Sequence, residues 1–330
     1  MSNIQLSQGG GASESNALVA DLFYKFFANK ILLKSEDAAV LQVNKNIAFT
    51  TDSYTVNPIF FKGGDIGKIS IAGTTNDLAM MGAKPLYLSC GFIIEEGFAY
   101  DDLEKIVKSM ADELNKSGAK IVCGDTKVVP RGAVDKIFIN TSGIGEVQAK
   151  NISSHNLKEG DAILVSRDIG AHGATILSAR EELSITSDLQ SDCTSLWNTV
   201  EKIFKNEIIP NAMRDATRGG LAAVLNEWAE TSNICIELQE DDIPVENEVK
   251  GICEIFGFEP TDFANEGTFV LSVKESDAKK TLKVLKEYSK NASIIGKVST
   301  KKLGKVVINT AYGSSRYLDM PKGELLPRIC

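Results

Sequence analysis

Four acidic residues stand beside turn signals in the first part of the chain. They are Asp37 in Glu36-Asp37-Ala38-Ala39-Val40, Asp52 in Thr50-Thr51-Asp52-Ser53, Asp77 in Thr75-Asn76-Asp77, and Asp125 in Cys123-Gly124-Asp125-Thr126-Lys127. Magnesium is a hard ion that takes oxygen ligands and commonly bridges carboxylate to phosphate. Carboxylates converging from separate elements would suit one or two such ions holding ATP phosphates. Singly, each aspartate also reads as a helix cap or turn residue. A fifth, Asp215, opens Asp215-Ala216-Thr217-Arg218-Gly219-Gly220, ahead of helical apolar spacing at Leu221, Val224, Leu225 and Trp228. A helix N-terminus can offer backbone N–H groups to phosphate, and the fork of Arg218 can add donors. A plain capped helix start fits the same residues. No Gly-x-x-x-x-Gly-Lys-Ser/Thr run is present, which disfavours a P-loop ATPase.

Other side chains could handle protons or substrate. Lys127 follows Asp125 by two residues and could meet phosphate or a substrate oxygen, or be a solvated strand-end lysine. Glu266, in Phe263-Ala264-Asn265-Glu266-Gly267, lies in a Gly-ended turn between apolar elements, where partial desolvation would suit a general base. His172, in Gly170-Ala171-His172-Gly173, could contact phosphate or substrate, or be a hydrogen-bonded helix-start histidine. Cys330 is the last residue. It has no three residues after it, as prenylation requires, and alone it could be an incidental surface thiol.

These residues need elements to position them. Patterning alternates strand and helix: strand Ile47–Val56, helix Gly64–Met81, strand Pro85–Glu95, helix Tyr100–Ser117, and strands Ala119–Val122 and Asp135–Val147. A second unit begins after residues 151–160, with strand Ala162–Ser166 and helices Gly170–Glu182, Leu196–Asn206 and Thr217–Thr231. A strand at Ile234–Leu238, a helix near Val245–Phe256 and strand–helix–strand over Thr268–Val298 follow. The expectation is an α/β (α+β) protein of two α/β domains, residues 1–152 and 153–318, with a mobile tail over 319–330. The segment Ser7–Ala12 is glycine-rich and also reads as detached. Pro321, Gly323 and Pro327 oppose regular structure in the tail, which fully extended reaches on the order of 40 Å.

Composition narrows the classes. Hydrophobic residues are 43% and charged residues 24%, as in ordinary globular domains, and the net charge of −8 argues against a non-specific nucleic-acid surface. No stretch is long and apolar enough to span a bilayer, and the start lacks the marks of a signal peptide, so a cytoplasmic protein is expected. The six cysteines contain no Cys-x-x-Cys pair and there are only two histidines, which disfavours a His/Cys metal site.

The ending Pro327-Arg328-Ile329-Cys330 resembles the signature of the HypE family of hydrogenase maturation. Internal motifs agree in order: Thr51-Asp52-Ser53-Tyr54, Thr74-Thr75-Asn76-Asp77, Tyr87-Leu88-Ser89-Cys90-Gly91-Phe92, Gly124-Asp125-Thr126-Lys127, Arg131-Gly132-Ala133-Val134-Asp135-Lys136, His172-Gly173-Ala174-Thr175, Asp215–Gly220 and Phe263–Gly267. Several are shared with the wider superfamily of aminoimidazole ribonucleotide synthetase, selenophosphate synthetase and thiamin monophosphate kinase. Where family members usually open His-Gly-x-Gly-Gly, this chain has Gln8-Gly9-Gly10-Gly11-Ala12.

The resemblance implies a homodimer paired through its N-terminal domains, with ATP in a cleft near the interface. Asp37, Asp52, Asp77, Asp125 and Asp215 match positions that hold Mg2+ and triphosphate, with Asn76 and Arg218 also on the nucleotide. It further implies that HypF carbamoylates Cys330, that ATP drives dehydration of the thiocarboxamide to a thiocyanate, and that the cyano group passes to iron on the HypC–HypD complex. Glu266, Lys127 and His172 would assist Cys330 in that chemistry. A synthetase or kinase acting on a free small molecule would instead keep its turnover without Cys330, and a non-catalytic carrier would never hydrolyse ATP.

Overall fold

A computed structural model describes residues 3–9, 13–34, 39, 41–43, 46–180, 187–322, 326 and 328–330. In chain order, the first part contains α1 (Ser13–Leu18), α2 (Tyr24–Phe27), β1 (Ile47–Tyr54), β2 (Phe60–Phe61), β3 (Gly64–Asp65), α3 (Ile66–Met80), β4 (Ala83–Glu95), α4 (Tyr100–Ser117), β5 (Lys120–Val129) and β6 (Ile137–Val147). The second contains β7 (Ala162–Val165), α5 (Ala171–Ser178), α6 (Trp197–Lys205), β8 (Ala212–Asp215), α7 (Gly220–Ser232), β9 (Cys235–Gln239), α8 (Asn247–Phe256), β10 (Phe269–Val273), α9 (Glu275–Lys286), β11 (Ser293–Ser299), β12 (Lys305–Asn309) and β13 (Ser315–Tyr317).

Strands β1, β6, β4 and β5 form one sheet in that order, antiparallel except for the β4–β5 pair. Strand side chains alternate between faces, so each register row assigns a face. The row Asp52–Thr141–Cys90–Gly124 belongs to the face packed on α3, and the next row, Ser53–Asn140–Gly91–Asp125, belongs to the other. That second face carries exposed apolar side chains, including Ile47, Phe49 at 67% exposure and Ile93.

Helix α4 is amphipathic, burying Leu103, Ile106, Val107, Met110 and Leu114, and ends where Gly118 turns left-handed. Helix α3 is buried nearly all round because it is central. It lies against β1, β6 and α4 on one side and against β8 and α6 on the other.

The second sheet has order β13-β12-β9-β11-β7-β10-β8, so β8 is an edge strand that brings Asp215 toward α3. Of the glycine-rich segment Ser7–Ala12, residues 10–12 lie outside the described residues; ahead of it Ile4 is fully buried, its N–H donating to the Phe98 carbonyl. The carboxyl end, read as detached, is seated between the two units at Leu326, Ile329 and Cys330. Among the described residues, no helix is long and apolar enough to cross a membrane.

Candidate active site

Thr50, Asp52 and Tyr54 are two residues apart on β1 and face α3, where Thr74 and Asp77, three apart, share a helix face. Their side chains interlock. Thr50 Oγ1 donates to Asp77 Oδ2 (2.7 Å), and Tyr54 OH lies 3.4 Å from Asp52 Oδ2 and 3.1 Å from Thr74 Oγ1. Position 73 must be glycine, because a Cβ there would sit 2.4 Å from the Tyr54 hydroxyl. Asp215 arrives from β8 across the cleft. Burial, reinforced by the Asp52 carboxylate, pushes Asp77 up to about 6. Burial, then repulsion from Asp77, pushes Asp215 up to about 8. Thr50 and Arg214 oppose these rises only in part.

Glu266 joins this acidic group from the loop before β10. Its carboxyl is held well above the ordinary range by burial first, then by Asp215, Asp192, Asp52 and Asp77. The backbone around it is fixed. Asp192 accepts from the Glu266 N–H (2.9 Å), the Gly267 N–H (3.0 Å) and the Thr268 hydroxyl (2.8 Å). Asn76 Nδ2 donates to the carbonyls of Thr194 (3.1 Å) and Glu266 (3.3 Å), while its Oδ1 accepts from the Leu196 N–H (2.8 Å).

The chain end lies in the same cleft. Three successive carbonyls are gripped from alternating sides. The Asn57 N–H donates to Arg328 O (3.1 Å), His172 Nε2 to Ile329 O (2.8 Å), and the Thr55 N–H to Cys330 O (2.9 Å). Arg328 Nε donates back to Thr55 O (2.7 Å), its guanidinium pairs with Asp135, and it lies over the Phe138 ring. Ile329 is buried in the main core. The Cys330 thiol is pushed up to about 12 by burial and then by Glu266, with Arg218 opposing and Asp52 and Asp215 adding to the rise. Cys330, Glu266, Asp52, Asp215 and Arg218 are thus electrostatic neighbours.

Comparison with known proteins places this geometry. Residues 35–147 match the AIR synthase related protein N-terminal domain and residues 158–309 its C-terminal domain. The chain is 45% identical to the carbamoyl dehydratase HypE of Escherichia coli (strain K12) over the full length of both. A solved structure of the hydrogenase maturation protein HypE in complex with ATP superposes with a TM-score of 0.95 at 45% identity, covering 99% of each chain.

The chain belongs to the HypE family. A HypE solved in complex with HypF also matches, at 48% identity and a TM-score of 0.80, over 92% of this chain and all of that one.

Within this HypE-family chain the expected site residues divide. Asp52, Asp77, Asp215, Glu266, Arg218 and Cys330 come together. Asp125 and Lys127 do not join them: they sit on the outward sheet face, exposed, with the Lys127 ammonium 2.6 Å from both Asp125 oxygens. That ion pair holds the Asp125 carboxyl low. Asn76 is buried, and its amide is occupied by the loop 194–196 and the Glu266 carbonyl, so it bolts the units together. His172 is fully buried and lowered by that burial, with one ring nitrogen on Ser191 Oγ (2.8 Å) and the other on Ile329. A carbonyl can only accept, so Nε2 carries the proton and His172 holds the tail. Asp37 lies outside the described residues.

The glycines at 219 and 220 have a steric reason as well as any anion-binding one. Both are left-handed, and a Cβ on Gly220 would meet the Thr261 carbonyl at 2.4 Å. Sequence reasoning missed Thr55, Ser191 and Asp192, and it met Asp135 only inside the motif Arg131–Lys136, without a role. Nothing local marks these roles, because each is played on a partner in another element.

Proposed function

We propose that this HypE-family chain is an ATP-dependent carbamoyl dehydratase of hydrogenase maturation whose substrate is carried on its own Cys330. The observation that carries the reading is the seated chain end, which sets a terminal thiol beside Glu266, Arg218 and the Asp52–Asp215 cluster. A hydroxide is a poor leaving group, so the carboxamide oxygen must be activated. It attacks the γ-phosphorus of ATP and displaces ADP, while one N–H proton departs. The C–O bond then breaks, inorganic phosphate leaves with its electron pair, and loss of the second N–H proton completes C≡N. Alignment and charge neutralisation drive the transfer, and Arg218 is placed to contribute.

Glu266 is our choice of base. A carboxylate held high by burial takes a proton readily. Mg2+ fits the donor chemistry of Asp52, Asp77 and Asp215, whose mutual repulsion a cation relieves. When bound, it would neutralise phosphate charge. Among the described residues no three candidate ligands form a metal cage by themselves. Magnesium needs none, since it is commonly held by one or two carboxylates with phosphate oxygens and water.

The outward face with Phe49 and Ile93 suits pairing with a second copy, and we assign the homodimer to it. Asp125 and Lys127 lie on that face, so a second copy would have to bring them to the phosphates. We take HypF as the carbamoyl donor and the HypC–HypD complex as the cyanide acceptor, both working in the cytoplasm. A division into 1–152, 153–318 and tail 319–330 suits such traffic, with the tail undocking to visit its partners.

Intact mass after incubation with HypF, carbamoyl phosphate and ATP tests the reading. An adduct of about 43 Da that then falls by about 18 Da, on wild type and not on Cys330→Ala, is expected for this reaction class. A wild type that stays unmodified beside an active partner overturns it in favour of a free-substrate synthetase.

A further inference from the structure

We propose that Ser191 and Asp192, adjacent in the segment before α6, are positioning residues that tie the alignment of Glu266 to the docking of the tail. This rests on the reading that Glu266 removes a proton from the group on Cys330.

The segment is buried between the two units, with Ser191, Asp192 and Cys193 nearly inaccessible. Its backbone is tied to the N-terminal unit, where the Ser191 N–H donates to Lys62 O (2.9 Å). The Ser191 hydroxyl faces the tail. Because His172 Nε2–H is committed to Ile329, Nδ1 must accept, and it takes the Ser191 proton at 2.8 Å. The Cys193 N–H donates to that same oxygen (3.1 Å), which leaves the hydroxyl proton free for the imidazole. A run of hydrogen bonds thus leads from the Ile329 carbonyl through His172 to Ser191.

One residue on, the Asp192 carboxylate serves the other side. It gathers the N–H groups of Glu266 and Gly267 and the Thr268 hydroxyl, three donors on two buried oxygens. A carboxylate accepting from backbone N–H groups makes the stronger class of hydrogen bond. Gly267 admits this approach, since a Cβ there would lie 1.8 Å from the Asp192 carbonyl oxygen. The Glu266 carbonyl is meanwhile held by Asn76 and, at 3.4 Å, by the Thr194 N–H. Both ends of the Glu266 peptide unit are therefore clamped. Among the described residues, none of the hydrogen bonds ends on its carboxylate, which stays available for chemistry. Two neighbouring residues hold the tail at one side and the base at the other, so a shift of either moves both.

The test uses the full chain, carbamoylated by HypF with carbamoyl phosphate and ATP, then followed by intact mass in single turnover across pH. Asp192→Asn keeps the shape but replaces one oxygen with a donor that opposes the N–H groups it faces. It should be loaded and bind a non-hydrolysable ATP analogue within about twofold of wild type. Its loss of water should be about 10- to 100-fold slower, the scale expected when a reacting group is misplaced by about an ångström, and its pH–rate profile should shift. Ser191→Ala removes only a hydroxyl and guards against an Asp192 variant that does not fold. It should dehydrate severalfold more slowly and leave Cys330 more open to alkylation. Wild-type dehydration rate and pH profile in a folded Asp192→Asn, or in Ser191→Ala with unchanged alkylation, would overturn the hub alone. A wild-type tail that is loaded yet keeps its water overturns the dehydratase reading, and the hub with it.

Discussion

The Nε2 of His172 lies 2.8 Å from the carbonyl oxygen of Ile329, so a fully buried imidazole spends its one N–H on the penultimate residue of the chain. With Thr55 and Asn57 on the carbonyls to either side, this contact fixes the register that sets Cys330 in the cleft. Removing the ring in His172→Ala should free the tail without ending ATP binding. Limited proteolysis after residue 318 would report this, and an equally protected tail in the variant would argue against the role.

Docking should silence the thiol. The reactive form is the thiolate, and burial pushes Cys330 up to about 12, leaving it protonated at neutral pH. Iodoacetamide at pH 8 should therefore modify wild type at least about tenfold more slowly than a flexible thiol of ordinary pKa. His172→Ala should approach the unhindered rate, as read by peptide mass. Equal rates in the two proteins would mean that the seated state is not the populated one.

Arg328 is the second fastening, through Thr55 O, Asp135 and the Phe138 face. Its ion pair with Asp135 is partly exposed and so contributes little by itself, while the bond to the carbonyl is charge-assisted. Arg328→Ala should weaken docking by about 1–2 kcal/mol, and Arg328→Lys should recover only part because it lacks the fork. Alkylation kinetics give both numbers.

Asp77 and Asp215 make a pH prediction with a definite sign. Their folded pKa values, about 6 and about 8, stand above the unfolded carboxylate value of about 3.9. The unfolded chain loses these protons first, so their contribution to stability is whole below about pH 4 and is lost as pH rises through about 6 and then about 8. The apo protein should lose melting temperature over that range more steeply than Asp215→Asn does. Mg2+ with ATP should raise it more at pH 8 than at pH 6. Parallel curves for wild type and variant would remove Asp215 from the cluster.

Glu266→Gln should accept the carbamoyl group normally but lose about 10²- to 10⁴-fold in single-turnover dehydration, the usual worth of a positioned base. Normal dehydration by this variant would return the task to another group.

The main elements were legible because periodicity reports burial. The helix expected over Tyr100–Ser117 has those bounds, its apolar positions facing the core and Gly118 ending it. The strand β8 was missed because it is only four residues long and Arg214 interrupts its apolar run; β12 and β13 lie beyond the last element expected. The acidic residues of the cleft were picked out beside turn signals, yet Asp52 lies within β1 and Asp77 within α3, and only Asp215 ends its element. Which of them meet could not be read, since one step of register on β5 sends Asp125 to the opposite face from Asp52. Asp192 and Thr55 were invisible for another reason: their partners lie 74 and 275 residues away, and a serine–aspartate pair or a threonine after a strand carries no local mark.

The chain end reaches the acidic cleft of its own molecule, and that alters the kinetics the protein can display. A tethered reactant has no concentration to saturate, so with ATP bound and the homodimer intact, dehydration should be first order and indifferent to dilution. Each molecule behaves as a reagent charged once and discharged once. Throughput then depends on how often other proteins fill and empty the thiol, and the rate of hydrogenase assembly becomes a matter of encounters rather than of substrate supply.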